Sequence, residues 1–311
     1  MARYLVTGGA GFIGSHLVEA LLRRGESVRV VDNFITGRRE NLPDARVEII
    51  EGDLADVTVA ERAVAGCEYV LHQAALPSVP RSIEDPLASH RANLDATLHV
   101  LLAARQHRVR RVVYAGSSAA YGDTPVLPKR EDMKTNPLSP YALQKLVGEQ
   151  YCAMFTHLYG IETVTTRYFN VFGPRQRPDS MYSGVITLFI QALSHGQAPQ
   201  IWGDGRQTRD FTYVDNVVDG VLRACAAEQV SGTVINVATG GRVSLLELVR
   251  ALQDILGVDV APTFGPSRIG DVRDSQADIV KARQLLGYEP TVSFHTGLKR
   301  TVEWFRTSGA A

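Results

Sequence analysis

The chain has 311 residues, 45% of them apolar and 21% charged, and its 33 Lys plus Arg balance 33 Asp plus Glu to a formal net charge of zero. That balance lacks the basic footprint of a nucleic-acid binder, and the length suffices for one large α/β domain plus a smaller one. Three widely spaced cysteines (Cys67, Cys152, Cys225) read as reduced thiols, and no apolar run approaches the ~20 residues that span a bilayer, so a cytoplasmic protein is expected.

Residues 4–7 read as a first strand, and Thr7-Gly8-Gly9-Ala10-Gly11-Phe12-Ile13-Gly14 follows it as a turn that opens a helix over 12–24. Glycines at 8, 11 and 14 let the backbone approach a pyrophosphate, which the amides and positive dipole end of the helix then hold. The next strand, 27–32, ends on Asp32, where a carboxylate grips ribose hydroxyls in dinucleotide sites. It also repels a 2′-phosphate, which favours NAD, although Arg38 and Arg39 nearby keep NADP open. The alternative reading of Asp32-Asn33 is a plain turn pair. A third strand, 47–52, delivers Asp53 and Leu54 to where adenine would lie.

Strand 69–73 and helix 88–106 come next. The run Arg105, His107, Arg108, Arg110, Arg111 reads as a solvated helix end leading into strand 112–117. That strand stops at Ser117-Ser118, hydroxyls at a strand C-terminus, where doubly wound sheets present ligand contacts. Pro140 suits the first turn of a long helix carrying Tyr141 and Lys145, and a spacing of four places both on one face. A cation beside a phenol lowers its pKa from about 10, which suits proton exchange with a substrate hydroxyl during hydride transfer. Taken alone, Tyr-x-x-x-Lys is common by chance and reads as a core tyrosine beside a surface lysine.

Strand 162–169 completes a doubly wound parallel sheet of six or seven strands. After Asn170 an ordered loop is expected over 173–183, then helices at 185–195, 216–226 and 245–256. The expected fold is α/β: a Rossmann domain over 1–170, with an excursion back to the sheet near 210–240, and a smaller α/β substrate domain from 171–209 and 241–311. The eight histidines are scattered and no metal site is expected.

The stretches TGGAGFIGSHL, HQAALPSVPRSIEDP, YGDTPVLPK, NPLSPYALQK, RYFNVFGPRQ, GDGRQTRDF and RIGDVRDSQADI resemble the extended short-chain dehydrogenase/reductase family over nearly the whole chain. Within it the resemblance is to the nucleotide-sugar 4-epimerases, UDP-N-acetylglucosamine 4-epimerases above all. It implies NAD held by Gly8, Gly11, Phe12, Ile13, Gly14, Asp32, Asn33, Asp53, Leu54, Gln73, Ala74, Ala75, Asn93 and Tyr168. Tyr141 is then the acid/base, Lys145 holds the nicotinamide ribose, and Ser117 bonds the sugar O4. Ser118 is a second candidate for that contact, because serine-rich strand ends align ambiguously by one position. Asn170, Arg209 and Arg268 are implied around the uridine diphosphate and Asp271 near its ribose, a role suited to guanidinium forks. Arg209-Asp210 reads alternatively as a surface ion pair.

The related 4,6-dehydratases carry an Asp-Glu pair where this chain has Ser118 and Ala119, so water expulsion is disfavoured and so is the UDP-glucuronate decarboxylase pattern. Reversible hydride transfer at C4 remains. The resemblance places a specificity gate at Ser275, four residues after Asp271, with Ser78, Gly184 and Val185 on the pocket wall. Small residues there favour UDP-N-acetylglucosamine and UDP-N-acetylgalactosamine without forbidding UDP-glucose and UDP-galactose, since lost packing costs only about 1–3 kcal/mol. Pro77 stands where the acetyl-preferring relatives carry glycine. Dimerisation through helix 88–106 and the helix after Pro140 is also implied by the resemblance. A net-redox nucleotide-sugar reductase or dehydrogenase and a non-enzymatic NAD-sensing scaffold are the other readings.

Overall fold

Leu5 and Val6 are both fully buried yet lie in different cores, as do Val30 and Val31, Val70 and Leu71, and Val112 and Val113. Successive strand residues face opposite ways, so these strands are covered on both sides. The computed structural model, which describes residues 2–43, 46–177, 184–267 and 272–308, places them in one parallel sheet of seven strands. Six run in chain order: β1 Tyr4–Thr7, β2 Val28–Asp32, β3 Val47–Glu51, β4 Tyr69–His72, β5 Arg111–Ser117 and β6 Glu162–Tyr168. Thr233–Val237 is the seventh and pairs in parallel with β6 at one edge. From that edge the order continues β6, β5, β4, β1, β2, β3, and the reversal between β4 and β1 opens a crevice over their C-terminal ends.

Helices α1 Phe12–Arg23 and α2 Val57–Val64 cover opposite faces, as the division of Leu17 and Ala60 between the two cores shows. α3 is Val79–Glu84 and α4 is Pro86–His90. The helix expected over 88–106 is interrupted: α4 passes through a π turn at Arg91–Asp95 before α5, Ala96–Gln106. A π turn inserts one extra residue in the helical repeat and redirects the side chains it carries. α6, Pro140–Tyr159, starts on Ser139, whose hydroxyl accepts from Ala142 N at 3.1 Å, and stops at Gly160 in the left-handed conformation.

Arg111 departs from the expected solvated cluster. It is buried, and its guanidinium donates to the carbonyls of Ala224, Cys225 and Ala227 at 3.1, 2.8 and 2.6 Å. Those are the last carbonyls of helix Val214–Ala226, which a cation satisfies and stabilises. The chain beyond β6 therefore does return to the sheet, through this helix and the edge strand. Three short two-stranded pairs also form among the described residues: Val171–Phe172 with Thr212–Tyr213, Thr208–Arg209 with Val243–Ser244, and Gln200–Trp202 with Thr263–Gly265. No helix among the described residues is long and apolar enough to cross a membrane.

Candidate active site

The crevice forms a cavity of about 490 Å³ bounded at one end by Gly8, Gly11 and Gly14 and at the other by Tyr141 and Lys145. Gly8 has φ +62°, and a Cβ there would stand 2.8 Å from the Ala74 Cα. A Cβ on Gly14 would stand 2.1 Å from the Gly8 carbonyl oxygen, so neither position accepts a side chain. The N-cap of α1 is Gly11, with no side-chain cap, which leaves first-turn amides available to an anion. Asp32 closes this end: its Oδ2 accepts from Ala10 N and its Oδ1 from Phe34 N, both at 2.9 Å. Burial raises its pKa and those amides oppose the rise. Asn33 Oδ1 also accepts from Ile35 N at 3.2 Å, so the pair makes a turn while facing the cavity. Arg39 is paired with Glu51 and stacked on the Phe34 ring at 4.5 Å.

Beneath the cavity runs a buried hydrogen-bond chain whose polarity can be counted. Thr7 Oγ1 accepts from the amides of Gln73 and Ala74, both at 3.0 Å, so it donates to His72 Nδ1 at 2.7 Å. His72 Nε2–H then donates to Thr97 Oγ1 at 3.1 Å, because Thr97 spends its own proton on the Asn93 carbonyl. Burial drives the His72 pKa down to about 3, so the ring is neutral. The chain fixes residues 73–76 from both sides, since Asn93 Oδ1 accepts from Leu76 N at 2.7 Å.

Tyr141 and Lys145 share the cavity as their spacing requires. The expected lowering of the phenol does not occur: burial pushes the Tyr141 pKa up, and a hydrogen bond with Ser117 only partly offsets it. Lys145 is itself buried, its pKa pushed down to about 8. Its Nζ donates to the Ala115 carbonyl at 3.0 Å and lies 5.0 Å from the Tyr114 ring centre. Desolvation sets the direction at both groups. Tyr168 donates to Gln73 Oε1 at 3.0 Å, which leaves Gln73 Nε2 buried and without a partner at the cavity wall. A donor so placed suits a ligand with acceptor atoms.

Of the residues expected to hold the cofactor, all line this cavity except Asn93, which stands behind it as a backbone anchor. Asn93 sits in the π turn, which helical periodicity does not reveal. Ser117 borders Tyr141, and its Oγ also accepts from Ala119 N at 3.2 Å, the residue after Ser118. Neither Ser275 nor Asn170 lines this cavity; Ser275 Oγ donates to Asn170 Oδ1 at 3.4 Å, and Ser275 is only 9% exposed. Ser78 is spent as the cap of α3, accepting from Arg81 N at 3.2 Å, and Gly184 and Val185 open helix Val185–Ser194. Arg209 donates to the carbonyls of Thr208 and Arg273, each at 2.9 Å. Asp210 is fully buried and accepts from Thr239 N, Gly240 N and Ala277 N at 3.0, 2.9 and 3.2 Å, so Arg209-Asp210 is no surface ion pair. Arg268 and Asp271 lie outside the described residues. Arg81 and Arg91 line the cavity without having been expected, because six-residue α3 and the π turn are too short to show a sequence period.

The chain matches the family model described as "NAD dependent epimerase/dehydratase family" over residues 4–238. It is 41% identical over 310 residues to the UDP-glucose 4-epimerase of Mycolicibacterium smegmatis, covering 98% of each chain. Among solved structures it is similar to the UDP-N-acetylglucosamine 4-epimerase from Methanobrevibacter ruminantium in complex with UDP-N-acetylmuramic acid (TM-score 0.94, 38% identity, 99% of each chain). It is also similar to the UDP-glucose 4-epimerase of Thermus thermophilus in complex with NAD (TM-score 0.89, 37% identity, 98% of this chain and 99% of that one). With its uncapped α1 terminus, its Asp32 and its Tyr141–Lys145 face, the chain belongs to the NAD-dependent epimerase/dehydratase family, in the extended short-chain dehydrogenase/reductase fold.

Proposed function

We propose that this NAD-dependent UDP-sugar 4-epimerase interconverts UDP-N-acetylglucosamine and UDP-N-acetylgalactosamine, and also turns over UDP-glucose and UDP-galactose. The observation that carries the choice of sugar is Ser275, small, nearly buried and packed beside Asn170. Residues 171–209 and 241–311 hold the sugar nucleotide in this reading, and residues 1–170 with the excursion hold NAD. A second reading, a UDP-glucose 4-epimerase, is favoured by the similarity to the mycobacterial enzyme of that name.

NAD fits the residues present: glycines that a Cβ would clash with, a helix terminus without a cap, and an orphaned Gln73 amide. When bound it would supply a hydride acceptor and a positive charge that favours the Tyr141 phenolate. Tyr141 takes the proton of the C4 hydroxyl, with Ser117 bridging hydroxyl and phenol. The oxidised sugar rotates, and Tyr141 returns the proton as C4 is reduced from the other face. Lys145 holds the nicotinamide ribose. Ser118 and Ala119 present no carboxylate, so water is retained on the sugar.

Comparison of kcat/KM on acetylated and plain UDP-sugars tests the choice: equal or better turnover of UDP-galactose removes the acetyl preference. Ser275→Tyr is expected to depress the acetylated substrate selectively, and an unchanged ratio means the gate lies elsewhere. Steady absorbance at 340 nm during turnover separates epimerisation from a net redox reaction. The chain acts as a homodimer through α5 and α6, where Leu102, Leu143, Met154 and Leu158 are exposed by 40–57% along the helices.

A further inference from the structure

Lys129 is only 2% exposed, yet among the described residues no carboxylate lies within ion-pair reach of it. Its Nζ donates to the carbonyl and the hydroxyl of Thr124, five residues back, and burial lowers its pKa. An apolar side chain of similar length would fill the same place without desolvating an ammonium. The segment that Lys129 closes into a loop includes Thr124–Pro128 and is preceded by Asp123.

Both ends of this loop grip the strip that carries Ser275. At one end Asp123 Oδ1 accepts from Arg273 N at 3.1 Å. At the other, Lys129 N donates to the Gln276 carbonyl at 2.7 Å and the Lys129 carbonyl accepts from Asp278 N at 2.8 Å. Ser275 lies between these attachments, its own amide donating to the Thr208 carbonyl at 3.1 Å. The Lys129–Thr124 contacts thus fix the span between two anchors that flank the gate.

We propose that Lys129 is a positioning residue for sugar selection: by tying down Thr124 it holds Asp123 against Arg273 and sets where Ser275 stands beside the substrate. The inference rests on the reading of Ser275 as the gate. It adds a residue outside the cavity to the determinants of specificity, and it assigns the loop after Gly122 a function.

The test uses Lys129→Met, Asp123→Ala and Asp123→Asn in the NAD-loaded enzyme. Lys129→Met and Asp123→Ala are expected to raise KM for the UDP-sugar several-fold and shift the acetylated-to-plain kcat/KM ratio at least threefold. In both, kcat stays within about twofold of the parent and NAD retention is unchanged. Asp123→Asn keeps the Oδ1 acceptor and should keep the parent ratio. Hydrogen exchange of residues 272–277 is followed in parallel and should quicken in Lys129→Met. Unchanged exchange and an unchanged ratio overturn the proposal, as does a proportional loss of kcat and NAD, which marks a general structural role. Should the parent enzyme turn over no UDP-sugar while exchange still quickens, the functional reading fails and the clamp stands. If Lys129→Met does not fold, Asp123→Ala against Asp123→Asn decides the question alone.

Discussion

Tyr141 and Lys145 were legible as a pair because a spacing of four fixes a shared helix face whatever the surroundings. The charge state of the phenol was not, since spacing carries no information on burial, and burial decides it here. Tyr141→Phe is expected to lower kcat by about 10²–10⁴-fold, the usual worth of a general acid/base, while the purified protein retains NAD. His72 shows the same division between pattern and environment. Its folded pKa, about 3, lies below the ordinary 6.5, so between those values the unfolded chain binds a proton that the folded chain refuses. Stability therefore falls as pH drops from 6.5 towards 3. His72→Gln should make this fall shallower by up to one proton, about 1.4 kcal/mol per pH unit, in urea midpoints measured from pH 7 to 4. An identical slope in the variant would show that the imidazole is already protonated in the fold.

The six strands expected in chain order and the helices at 12–24, 185–195, 216–226 and 245–256 lie within a residue or two of those observed, because the central strands are apolar on both faces and the helices carry an apolar stripe. Helices Val57–Val64, Val280–Leu286 and Phe294–Ser308 were not foreseen. Periodicity is also silent on where one element fastens to another. The Arg111 cap on helix Val214–Ala226 and the Asp210 amide cluster both depend on contacts between residues far apart in sequence. Another such fastening is Glu149 of α6, which accepts from Arg167 of β6 at 2.8 and 2.6 Å, with the guanidinium 4.6 Å from the Tyr121 ring centre. Both partners are buried, so Glu149→Gln leaves a guanidinium without its counter-charge. A loss of about 3–5 kcal/mol is expected in denaturant unfolding. A change below 1 kcal/mol would mean that α6 is held to the sheet by apolar contact alone.

At the scale of the molecule, the cofactor end was legible because a contiguous glycine-rich turn announces it and the ends of successive strands supply the rest. The sugar end was less so, since its residues arrive from segments scattered between 78 and 275. The apolar row on α6 (Leu143, Met154 and Leu158) bears on assembly, and Leu143→Glu with Leu158→Glu is expected to halve the mass seen by light scattering while leaving the helical signal intact. A parent protein that is already monomeric would rule out this dimer. The edge strand has a consequence for how the protein is made. β6 ends at Tyr168, but its outer neighbour begins only at Thr233. During synthesis a nascent chain must extend about 65 residues further before that flank of β6 can be covered. Until then the newborn protein carries a naked strand with free amides and carbonyls, the kind of surface that recruits other chains. Messages truncated before residue 233 are therefore expected to yield insoluble product, and holding chaperones should engage ribosomes paused in that interval.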